Sequence, residues 1–86
     1  MEQELVGNVI DYFTKISVAA IDIDSGEIRI GDTIHFSGHT TDFSQKVESM
    51  QIDKEEVNTA RAGDSVGIKV KERVRDGDEV YKVIDD

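Results

Sequence analysis

The chain has 86 residues, with 10 Lys and Arg against 19 Asp and Glu, and a net charge of −9. A surface this acidic repels phosphate backbones, which argues against non-specific DNA binding. The absence of Cys removes disulfides and thiolate metal sites. The length suits one domain, residues 1–86, whose single small core buries roughly 60–65% of the unfolded surface.

No apolar run approaches the ~18 residues of a membrane span, and no charged-then-apolar leader opens the chain, so a cytoplasmic protein is expected. Glu2 to Tyr12 reads as a first strand, bent at Gly7. Thr14 to Ile23 is apolar on both faces, with Ile16, Val18 and Ala20 opposite Ala19, Ile21 and Ile23, as in a central strand. From Gly26 to Phe36, two short alternating strands flank Gly31-Asp32. The polar stretch from Ser37 to Lys46 reads as an exposed loop tipped by Phe43. Val47 to Ile52 is a strand, and Asp53 to Glu56 has the spacing of a helix capping box followed by at most one turn.

Gly-Asp returns at Gly63-Asp64 and at Gly77-Asp78. Each time an apolar β-branched residue stands two positions after the Asp, as Ile34 does after Asp32. Val66 to Val70 alternates like a strand, and Glu79 to Ile84 closes the chain. No window of 11 residues holds a helical period. The pattern predicts an all-β fold, a small closed barrel of six or seven strands, since closure removes edges that a small sheet cannot protect.

Four segments appear in an order that resembles a known family: Gly26 to Ile34, Val47 to Met50, Ala60 to Ile68, and Gly77 to Val83. They resemble the β-barrel second domain of translational GTPases of the elongation factor Tu and elongation factor 1-alpha group. They are more closely similar to stand-alone archaeal-type translation elongation factor-like proteins, and to the barrel appended to some U32-type peptidases. The resemblance implies a non-catalytic module that binds RNA, at the end of a tRNA, or a translation-machinery protein. The alternative it implies is an accessory module docking on a larger enzyme such as a U32-type peptidase. It also implies that Glu48 stands where the tRNA-carrying relatives pack a Glu on the terminal adenine, while Gln51 replaces their Arg. No phosphate-cradling Gly-x-x-x-x-Gly-Lys loop is present, so GTP is not expected to bind, and no cofactor is expected.

Candidate site residues lie in two places. In the polar stretch, Thr40, Thr41 and Gln45 offer hydrogen-bonding groups, Phe43 offers a stacking face, and Lys46 a charge, the mixture that reads single-stranded RNA ends. The competing reading tucks Phe43 onto the barrel. Further on, Lys69, Lys71, Arg73 and Arg75 alternate at period two, with Arg61 nearby. If that strand continues, they project from one face, as a solvated surface or as an RNA- or partner-facing stripe. His35, His39 and Asp42 could be imagined around a metal, but zinc wants three or four braced ligands, and exposed histidines are the simpler reading. The acidic groups Asp22/Asp24, Asp53/Glu55/Glu56 and Asp76/Asp78/Glu79 sit at turns, where Asp bonds its own backbone. No nucleophile elbow is present, and the chain is not expected to be an enzyme by itself.

Overall fold

A computed structural model describes residues 2–84. The strands are β1 (Glu2–Phe13), β2 (Val18–Ile23), β3 (Glu27–Arg29), β4 (Thr33–Ser37), β5 (Asp42–Lys46), β6 (Met50–Ile52), β7 (Glu55–Glu56), β8 (Thr59–Arg61), β9 (Ser65–Lys69) and β10 (Glu79–Ile84). Eight form one sheet in the order β5-β4-β10-β1-β2-β9-β6-β7, and β3 pairs with β8 in a second. Every pairing is antiparallel. The all-β class is therefore as expected, with more and shorter strands than the alternation suggested. A closed barrel is not shown: the backbone ladder of the large sheet ends at β5 on one side and β7 on the other. No helix among the described residues is long and apolar enough to cross a membrane.

β1 is long because it serves two neighbours in turn. Its first half pairs with β10 and its second with β2, and the register slips between Leu5 and Gly7 and again between Val9 and Asp11. Those irregularities bend the strand where the sheet must curl. The longer strands then turn alternate side chains inward, and the core gathers Val6, Val9, Ile21, Ile28, Ile34, Phe36, Met50 and Ile68 among others. β2 lies between β1 and β9, the central place its two apolar faces predicted, although its ordered span begins only at Val18. Ile16 stays 60% exposed in the turn before it.

Three expectations are corrected by tertiary packing. The stretch from Ser37 to Lys46 is not a loop but a hairpin, turning at Gly38 to Thr41 and returning as β5. Phe43 drives this, because it pairs across the ladder with Phe36 and stacks on it at 5.0 Å between ring centroids. Asp53 and Lys54 cap no helix. They take φ of 52° and 67°, the left-handed pair that links β6 to β7 in a two-residue hairpin. Finally, β9 ends at Lys69, and Lys71 to Asp76 is not a strand.

The recurring Gly-Asp unit proves to be a larger motif, Arg-x-Gly-Asp, present as Arg29–Asp32, Arg61–Asp64 and Arg75–Asp78. In each, the Asp amide donates to the Arg carbonyl at 2.9–3.0 Å, and the Gly takes a φ of 93–97°. This is a type II turn, which needs a positive φ at its third residue and so selects Gly. The Arg amide donates in return to the Asp carboxylate at 2.8, 2.9 and 2.8 Å. Each turn is then pinned by a buried partner, Val47, Ile23 or Val9. The partner's carbonyl accepts from the Gly amide, and its amide donates to the Asp carbonyl. Three corners thus share one construction.

Asp78 is only 5% exposed, whereas Asp32 and Asp64 are half-buried. Removing a carboxylate that satisfies a buried amide costs about 1–3 kcal/mol, more where water cannot replace it. Asp78→Ala should therefore lower the urea midpoint more than Asp64→Ala does. Equal midpoints would show that burial does not set the cost.

A cationic cleft at the open seam as candidate functional site

The seam of the large sheet holds a cavity. β6 joins β9 only from Met50 on, with Met50 opposite Ile68 and Gln51 opposite Gly67. Beyond it, the backbone of 69–71 has no strand beside it on that side. A single side chain fills the gap: Gln45 Nε2 donates to the Lys69 carbonyl at 2.8 Å, and the Lys71 amide donates to Gln45 Oε1 at 2.9 Å. On the other side, the Val70 amide donates to the Ser17 carbonyl at 2.8 Å.

The cavity around this bridge has a volume of about 420 Å³ and is lined by Gln45, Lys46, Glu48, Ser49, Lys69, Val70 and Lys71. Three lysines and one carboxylate meet there on a chain of net charge −9. A smaller cavity shares Glu48 and Ser49 and continues toward Ile30, Val57 and Asn58. The arrangement offers positive charge and a main-chain edge, and no nucleophile with a partnered base.

The sequence-derived candidates separate into those the seam collects and those it does not. Gln45, Lys46, Glu48, Lys69 and Lys71 are brought together. Phe43, read as a candidate stacking face, is 8% exposed and belongs to the core, and Thr41 is 4% exposed. Thr40 accepts from Arg75 Nε at 2.9 Å. Arg73 lies over the Tyr12 ring, 5.9 Å from its centroid. The basic stripe is therefore broken: because β9 stops at Lys69, Arg73 and Arg75 turn to separate partners. Sequence reading missed Ser49 and Val70. Nothing in their local pattern marks them: Ser49 is exposed just before β6 joins β9, and Val70 is 4% exposed and packs in the core while it lines the cavity.

A second polar group surrounds His35, whose Nδ1 lies 3.1 Å from Gln3 Oε1 and Nε2 2.6 Å from Asp42 Oδ1. Tyr81 is beside it, 6.4 Å between ring centroids. Its phenol is held above the ordinary tyrosine range, first by its hydrogen bond to Glu79 and then by burial. His39 is exposed on the hairpin turn. Among the described residues no three His, Asp or Glu are placed to hold a metal ion.

The structure is an antiparallel sheet curled around one small core, with a basic seam at its edge. Comparison with known proteins supplies its relatives. No family model matches the sequence. The chain is 40% identical over 82 residues to a collagenase of Porphyromonas gingivalis, covering 94% of this chain but 23% of the relative. It is 42% identical over 77 residues to an uncharacterised protease of Methanocaldococcus jannaschii, covering 88% of this chain and 19% of the relative. The chain thus spans about a fifth of the length of these curated relatives. Among solved structures it is similar to the C-terminal domain of a protein of Geobacillus thermoleovorans assigned as a U32 peptidase, with a TM-score of 0.86, 26% identity, and 92% and 99% of the two chains covered.

These findings correct the translation-factor assignment. The relatives are a collagenase and a protease, and the matching structure is the C-terminal domain of a U32 peptidase, so translation and RNA binding lose their support. The reason is physical. Three of the four segments behind the resemblance contain the Gly-Asp turns and the strands they join. Such residues report how a small β-domain turns its corners, and not what it binds.

Proposed function

We propose that this chain acts as a non-catalytic accessory module of a U32-type peptidase, packing against the unit that carries out hydrolysis. The observation that carries the reading is coverage. Nearly the whole chain aligns with about a fifth of each protease relative, and it superimposes on a C-terminal domain that was solved in isolation. A piece of that size with its own core is a module attached to a larger machine. Collagen or another peptide as the substrate of the assembled enzyme belongs to the same reading, by analogy with the named collagenase.

The test uses a U32-type peptidase from which its own C-terminal domain has been deleted. Titrating the 86-residue chain into it should give saturable heat in calorimetry and change the rate of gelatin cleavage, while the chain alone cleaves nothing. No binding heat and an unchanged rate would overturn the proposal, as would gelatin cleavage by the chain alone.

A further inference from the structure

The Gln45 bridge has the hydrogen-bond pattern of a missing strand. In a parallel ladder, one residue gives its N–H to the carbonyl of position i−1 on its neighbour and takes the N–H of position i+1. Gln45 does this through its side-chain amide, giving to Lys69 and taking from Lys71, with Val70 between them. The edge at 69–71 is thus shaped for an extended polypeptide and satisfied for now by one amide. Facing it, β5 has backbone pairing with β4 alone.

We propose that this seam binds an extended acidic peptide segment by strand addition. The main chain of the peptide takes over the bonds of the Gln45 amide, and its carboxylates pair with Lys46, Lys69 and Lys71. Edge addition draws affinity from main-chain hydrogen bonds and selectivity from side chains at alternate positions. Lys69 and Lys71 stand two apart, the period at which successive strand side chains share a face. Charge selects the occupant: three lysines surround the cavity, against the one carboxylate of Glu48, on a chain that is otherwise strongly acidic. Main-chain chemistry selects it too. The Lys69 carbonyl is an acceptor that needs an N–H, which a peptide supplies and a phosphodiester backbone lacks. The inference stands apart from the accessory-module reading, because it is tested on the chain alone.

The probe is an eight-residue peptide alternating Glu and Thr, capped at both ends and titrated into 15N-labelled chain at low salt. Shifts should concentrate on the Gln45 side-chain NH2 and on the amides of Lys69 and Lys71. Lys69→Glu with Lys71→Glu, both exposed positions, should weaken binding at least ~10-fold, since each exposed charge contact is worth up to about 1 kcal/mol and reversing the charge turns attraction into repulsion. A Glu-Thr peptide with alternate amides N-methylated should also lose ~10-fold or more. Equal binding by the methylated peptide would overturn strand addition. So would the absence of shifts at millimolar peptide, or an oligonucleotide that moves the same amides at lower concentration than the peptide.

Discussion

Gly7→Ala is expected to unfold much of the population at physiological temperature. Gly7 sits in β1 where the register slips, paired with Val80 on one side and Ile23 on the other. A Cβ placed there would overlap the Asp22 carbonyl oxygen and stand 3.0 Å from its carbon. Both are backbone atoms of the neighbouring strand, so no side chain can swing aside. Relief would require β1 and β2 to separate, breaking a ladder at the centre of the sheet. Overpacking typically costs about 1–3 kcal/mol and occasionally more, and an overlap with neighbouring backbone atoms that cannot move aside belongs at the top of that range, about 3 kcal/mol. In a domain this small, each kcal/mol is worth roughly 4–8 °C of melting temperature. The melting temperature should therefore fall by at least ~12 °C, read by circular dichroism. A fall of a few degrees would show that the strands separate easily there, contrary to the close approach described.

Phe36→Ala should be nearly as damaging for a different reason. Phe36 is fully buried, on β4, and the Phe43 ring from β5 stacks on it. Removing the ring loses its transfer energy and leaves a cavity, about 3–5 kcal/mol together for a buried Phe. It also loosens the hairpin whose far strand carries Gln45 and Lys46. Calorimetric unfolding should show the loss, and amide exchange should quicken along β5 before β2. Uniform quickening across both strands would mean that β5 does not depend on this pair.

Much of the fold could be read from period-two alternation and from the Gly-Asp punctuation. Glu79 to Ile84 came directly from those signals, and the bend at Gly7 from a glycine set inside an apolar strand. The hairpin at 38–46 did not, because four of the five residues of β5 are polar and its single apolar anchor, Phe43, resembles a loop tip until Phe36 is seen opposite. The Asp53–Glu56 spacing suits a capping box and a left-handed turn alike, and the pairing of β6 with β7 decides between them. The seam was half legible. Lysines at 69 and 71 stood out by number, but their meeting with Gln45 and Glu48 depends on β6 joining β9 only from Met50 on, which is long-range information. The translation-factor resemblance failed because it rested mainly on corner residues, whereas the alternative likeness to the barrel appended to U32-type peptidases is the one the relatives favour.

In the three Arg-x-Gly-Asp corners, the arginine contributes its backbone amide and carbonyl, while its guanidinium lies outside the turn: that of Arg29 reaches Glu27 and that of Arg75 reaches Thr40. Gly and Asp are fixed by backbone geometry, but the first position is free to drift. Descendants of such a domain can therefore exchange surface charge at three spaced points without disturbing their architecture. That freedom separates the outline of the domain from the charge it displays.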